Sequence, residues 1–214
     1  MQKSLRAGIN NEFFRRGETD HPQTMKHFIS ALPTCHLHSD AKRWVGITGS
    51  WRYTSRQIEM DVRTSVNMLL NKGYGIVSGG ALGVDYLATQ EVLKLKQKHR
   101  LKIFLPTPMD VYFEHYLKKA SEGVISVKQA QSLIRQLTYA KELDSRAIVA
   151  LDGQFVDEHS YYERNSFVVQ ASDIILGYRV NSSKGTTDTL VKARRANKQI
   201  YFNDYDINVP LAHA

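Results

Sequence analysis

The sequence has a single cysteine, Cys35, in 214 residues, so no internal disulfide can form. A domain of this length buries roughly 70% of its unfolded surface and needs no covalent staple. No apolar run approaches the ~20 residues that span a bilayer. The first residues lack the apolar segment of a secretory signal. Both absences predict a cytoplasmic protein. The Gly-Lys pair of the phosphate loop is missing, and so is the strict dinucleotide fingerprint. That argues against an ATPase and against an ordinary NAD dehydrogenase. Cys35-His36-x-His38, even with His21 and His27 nearby, has no cysteine pair and lacks the characteristic four-ligand spacing of a structural zinc site. No metal and no cofactor are expected. There is no internal repeat and no low-complexity tract.

What is present is an ordinary globular composition, 42% hydrophobic and 23% charged, with a formal net charge of +8. A basic surface attracts phosphates and acidic partners. Charge alone does not separate a nucleic acid from a mononucleotide. Residues 1–42 are polar, carry Pro22 and Pro33 and show no sustained periodicity. They read as an arm with one short helix over 24–32, packed on the domain or on another subunit.

From residue 43 the pattern changes to alternating strand and helix. Strands are predicted over 44–48, 74–78, 101–105, 147–151, 173–178 and 199–202. Helices are predicted over 55–72, 84–98, 111–119, 126–143, 166–171 and 186–197. Thr54 with Gln57, and Ser126 with Gln129, have capping-box spacing. The apolar stripes are Ile58, Val62, Val66, Leu69 and Leu70, then Leu87, Ala88, Val92 and Leu95, then Val127, Ala130, Ile134 and Leu137. This alternation implies one α/β domain over 43–214. Its predicted fold is a Rossmann-like three-layer sandwich around a mostly parallel sheet.

Four segments carry chemistry. The first is the turn after the second strand, with Ser78, Gly79, Gly80, Ala81, Gly83 and Asp85. Glycines let backbone approach a ligand, and the following helix N-terminus offers N–H groups to an anion. Asp85 either accepts hydrogen bonds from a ribose or base, or only favours the first helical turn. The second is Gly49, Ser50 and Arg52 after the first strand. Arg52 suits a phosphate, and Trp51 either stacks on a base or anchors the turn. Both loops lie at carboxyl ends of strands, where open α/β sheets bind ligands. The third is Lys184, Gly185 and Thr186, with a helix cap as the plain alternative. The fourth is Arg164 and Asn165, just before an apolar helix, where the plain alternative is a surface salt bridge. Tyr161-Tyr162 and Tyr112-Phe113 read as packing more readily than as stacking platforms, and the basic run 192–198 as a solvated helix end.

The order Gly-Ser-x-Arg, Ser-Gly-Gly-Ala-x-Gly-x-Asp, Arg-Asn, Ser-Asp and Gly-Thr resembles the SLOG superfamily over residues 43–203. Within it, the chain is most similar to the DNA-processing protein A family. That resemblance implies a pocket for the phosphates of single-stranded DNA, lined by Ser50, Arg52, Ser78, Gly79, Gly80, Arg164 and Asn165. It also implies a role in DNA processing or recombination. The chain departs from the family pattern in three respects. No winged-helix tail is evident, the second loop lacks a basic residue, and the segment 107–152 is long. The lonely-guy phosphoribohydrolases, which hydrolyse nucleoside monophosphates, resemble the chain less. They carry a glutamate after the Gly-Thr, where the nearest acid here is Asp188. A sensor of nucleotide signals is a third use of such a fold. The expected partner is a nucleotide or single-stranded nucleic acid, with no membrane, and the expected assembly a homodimer.

Overall fold

The computed structural model describes residues 24–35 and 43–207. Its centre is a six-stranded sheet in the order β4-β3-β2-β1-β5-β6. The strands are β1 (Trp44–Gly49), β2 (Gly75–Ser78), β3 (Leu101–Leu105), β4 (Ile148–Ala150), β5 (Ile174–Val180) and β6 (Gln199–Tyr205). Every neighbouring pair is parallel. Apart from a short 3-10 turn, the helices of the described residues are α1 (Met25–Ala31), α2 (Arg56–Asn71), α3 (Val84–Lys94), α4 (Met109–Ser121), α5 (Val127–Leu143), α6 (Glu158–Gln170) and α7 (Lys184–Arg195).

Side chains alternate across a strand, so each strand feeds two cores. Val45 and Ile47 of β1, with Ile174, Leu176 and Tyr178 of β5, pack against α1 to α5. Ile175 points the other way, to Val169 of α6 and to Leu190 and Ala193 of α7. This is the three-layer arrangement that the alternating pattern predicts, with the sheet parallel throughout. None of the described helices is long and apolar enough to cross a membrane.

The arm's helix joins the main core: Met25, Ile29 and Leu32 are buried there. Thr24 caps it by accepting from the His27 amide. Lys72 donates to the Leu32 carbonyl at 2.6 Å, and Tyr74 donates to that of Pro33 at 3.0 Å. Of the Cys-His cluster, His21, His36 and His38 lie outside the described residues.

Several boundaries differ from the sequence reading, each for a local reason. Ser55, not Thr54, caps α2, because its hydroxyl reaches the Ile58 amide at 3.3 Å. Gln57 instead donates to Asp61, one turn on. α3 stops at Lys94, where Lys96 takes a positive φ and turns the chain, which leaves Leu95 exposed. Val127 is exposed as well, and Leu133 and Ala140 fill the α5 stripe instead. The capping box of Ser126 and Gln129 forms as expected. The largest difference is α6, which begins two turns earlier than predicted, at an Asp157–Ser160 capping box. Arg164 and Asn165 therefore sit inside this helix and not before it.

Candidate functional site

The sheet topology places one crevice. From β1 the chain moves outward to β2, β3 and β4, then returns to β5 on the other side of β1. The strand order therefore reverses between β1 and β5, and such a switch point leaves a gap outside the carboxyl ends of the strands. A crevice of about 470 Å³ opens there. That volume falls within the ~300–1,000 Å³ usual for small-ligand sites.

Two turns form its base. The Gly49–Ser50 turn is fixed when the Ser50 amide donates to the Tyr178 carbonyl at 3.3 Å and the Ser50 carbonyl accepts from Val84 at 3.0 Å. The Ser50 hydroxyl accepts from the Tyr53 amide at 3.0 Å. The second turn, from Ser78 to Gly83, closes directly beneath it. Gly83 caps α3 at φ +69°, and a β-carbon there would run into the Ser50 carbonyl oxygen. Gly80, at φ +68°, leaves no room either, since its β-carbon would meet Leu105 at 2.5 Å. Both glycines are thus required by hand and by space. The Ser78 hydroxyl accepts from the Gly80 amide at 3.2 Å and from Thr89 at 3.4 Å.

Asp85 and Arg164 form the floor. Both are buried, and they face each other at 3.6 Å. Arg164 also donates to the Gly79 carbonyl, and Asp85 accepts from the Ala81 amide at 3.3 Å. The pair thus ties α6 to the glycine turn. Burial pushes the Asp85 carboxyl up to about 6, against the pull of Arg164 and of the Ala81 and Gly79 amides. The Arg164 Nε–H is buried and has no hydrogen-bond partner among the described residues. Beside the floor, Tyr112, Tyr116 and Tyr161 are held far above the ordinary phenol range, chiefly by burial. Tyr112 donates to the Gly80 carbonyl at 3.3 Å.

The α7 N-terminus supplies another wall. Ser183, Lys184 and Gly185 line the crevice, and no side chain caps the helix there. Asn165 of α6 donates to the Gly185 carbonyl at 3.4 Å and to Asp188 at 3.0 Å. The mouth carries Trp51, Lys119 and Tyr162 together with the acids Asp157 and Glu158. His115 lies there too, and burial and Lys119 lower its pKa.

Of the residues singled out from sequence, Gly49, Gly79, Ala81, Asp85, Arg164, Asn165, Lys184 and Gly185 line this one space. Ser50, Ser78, Gly80, Gly83 and Thr186 sit behind its surface, holding the turns. Arg52 does not line the crevice: its guanidinium is exposed and lies 5.5 Å from the Tyr53 ring. The α4 residues His115, Tyr116 and Lys119 were missed, because no motif marks them and only the fold brings α4 to the site. Tyr161 and Tyr162, read as packing residues, line it as well.

A family model described as DNA recombination-mediator protein A matches residues 13–213. No curated protein matches the chain. Among solved structures, the chain is similar to DNA processing protein A from Helicobacter pylori, described for its single-stranded DNA binding mode. The TM-score is 0.57 at 22% identity, over 79% of this chain and 68% of that one. It is also similar to the molybdenum cofactor binding protein of Rippkaea orientalis, with a TM-score of 0.51 at 16% identity, over 78% and 80%.

Proposed function

This chain belongs to the DNA recombination-mediator protein A family, and we propose that its crevice binds the phosphate backbone and exposed bases of single-stranded DNA. The observation that carries this reading is the convergence at one topological switch point. Two glycine turns and the uncapped N-terminus of α7 meet there around Lys184 and Trp51. The free helix N-terminus and Lys184 suit a phosphate, and Trp51, 41% exposed, suits a stacked base. The net charge of +8 favours a polyanion.

Of the two arginines, Arg164 lines the crevice and Arg52 does not. Arg164 is engaged through one terminal guanidinium nitrogen by the Gly79 carbonyl and Asp85, so it shapes the second turn. Lys184 and Lys119 are the cations placed at the mouth. Asp188, the acid nearest the Gly185-Thr186 pair, is held by Lys192 at 2.7 Å and by Asn165, outside the crevice lining. It gives no support to an N-glycosidase.

Fluorescence anisotropy with a labelled oligothymidylate tests the reading. Lys184→Ala with Lys119→Ala is expected to weaken binding and to flatten the log–log salt dependence by about 1.4, two contacts at about 0.7 each. Absence of wild-type binding at low salt would overturn it.

A further inference from the structure

A second groove lies away from the crevice, between α3 and α5. It is open, about 480 Å³, and lined by Tyr86, Gln90, Lys94, Lys96, Arg135 and Tyr139, among others. Its charge differs from that of the crevice. The crevice lining mixes the cations Arg164, Lys119 and Lys184 with the acids Asp85, Asp157 and Glu158. The groove lining holds three cations and no acid. Among the described residues none of those three cations forms an ion pair. The one acid on the adjoining turn of α3, Glu91, is buried and bound to Arg63 at 3.0 Å. Cations left unpaired on a folded surface create a local positive potential that a polyanion neutralises best.

The aromatic content points the same way. Tyr139 is 47% exposed, and Tyr86 is half-buried beside it on the facing helix. A basic groove with tyrosines along its walls is the usual arrangement for single strands, whose phosphates follow the cations while bases stack on rings. The groove also leads away from the crevice. Tyr86 follows Asp85 of the crevice floor in sequence, and its carbonyl accepts from Gln136 of α5 at 3.0 Å. From Tyr86 to Lys96 α3 and its C-terminal turn extend about 15 Å, at ~1.5 Å per residue. The sequence continues this charge: Lys94, Lys96, Lys98, His99 and Arg100 fall within seven positions.

We propose that the α3–α5 groove is a second contact for the backbone of single-stranded DNA, extending the bound strand beyond the crevice. Lys94, Lys96 and Arg135 meet phosphates, and Tyr139 stacks on a base. This rests on the reading of the crevice as a DNA site.

The experiment compares a 6-nucleotide and a 30-nucleotide oligothymidylate on the full chain, by anisotropy over a salt series. The variant is Lys94→Glu, Lys96→Glu and Arg135→Glu together. All three side chains are exposed, and circular dichroism checks that the variant folds. The 30-mer is expected to bind about tenfold or more weakly, with a slope lower by about 2 for three lost contacts, while the 6-mer is unaffected. Tyr139→Ala is expected to weaken the 30-mer with no change in slope. Unchanged binding of both lengths would overturn the groove and leave the crevice reading standing. Equal weakening of both lengths would also overturn it, since that reports the field of the whole molecule and not a local contact. Absence of wild-type binding to either oligonucleotide would remove the crevice reading itself.

Discussion

Single residues divide into those that hold the crevice and those open to a ligand, and the glycines separate the two. Gly83 has a positive φ and faces the Ser50 carbonyl. Gly83→Ala is therefore expected to destabilise the fold by about 1–3 kcal/mol, read from denaturant midpoints. Gly185 is the opposite case. A β-carbon there meets nothing within 4 Å, and its φ is not positive. Gly185→Ala is expected to leave stability within about 0.5 kcal/mol, or to raise it slightly through helix propensity. If the first turn of α7 receives a phosphate, the same change weakens DNA binding. Unaltered affinity in that stable variant would remove α7 from the site.

Asp85 makes stability depend on pH. Its carboxyl ionises near 6 in the fold, against 3.8 for the free group. Between these values the folded chain keeps a proton that the unfolded chain releases. The stabilisation is full below about pH 4 and is lost as the pH rises through 6. The stability of Asp85→Asn minus that of the wild type should therefore increase from pH 4 to 7 and then level, by at most about 3 kcal/mol. His115 titrates nearby but is present in both proteins. A difference that stays flat with pH would contradict the buried, desolvated carboxyl.

At the scale of elements, α6 shows what the sequence conceals. Strands β1, β2 and β3 were legible as short apolar runs, and the two glycine turns as interruptions between strand and helix. The first half of α6 was not. Arg164 and Asn165 are polar residues that line the crevice, and Tyr161 lines it while also packing on the core, so the 3.6-residue apolar stripe is broken in this part of the helix. The capping box at Asp157 was its sole local signal. Asp157 also lines the crevice mouth, so Asp157→Ala is expected to separate two properties. It removes the cap and lowers the melting temperature. It also removes a negative charge from the mouth and tightens DNA binding at low salt. Tightening that survives at high salt would show another cause. α4 was equally hidden. Its periodicity marks a helix, but only the return of the chain between β3 and β4 brings His115, Tyr116 and Lys119 to the site.

For the molecule as a whole, the core extends further than composition suggests. The polar arm supplies α1, whose Ile29 is fully buried. Ile29→Ala is expected to cost about 2–5 kcal/mol. A change under about 0.5 kcal/mol by thermal or denaturant unfolding would mean that α1 is an appendage. The parallel sheet, with its order reversing at β1 and β5, gives the molecule one natural ligand face. The two glycine turns and the α7 N-terminus converge on that face. Among the described lining residues Asp85 is tied to Arg164 and the Ala81 amide, and the other acids, Asp157 and Glu158, lie at the mouth.

The claim that DNA enters this crevice is tested most directly by ultraviolet cross-linking to an oligonucleotide carrying photoreactive uracils, followed by mass mapping of the attached peptides. The account predicts cross-links at Trp51 and at Tyr161 or Tyr162, lost when unlabelled single strands compete. Cross-links confined to the opposite edge of the sheet, around α1 and β6, with none at Trp51, would contradict it.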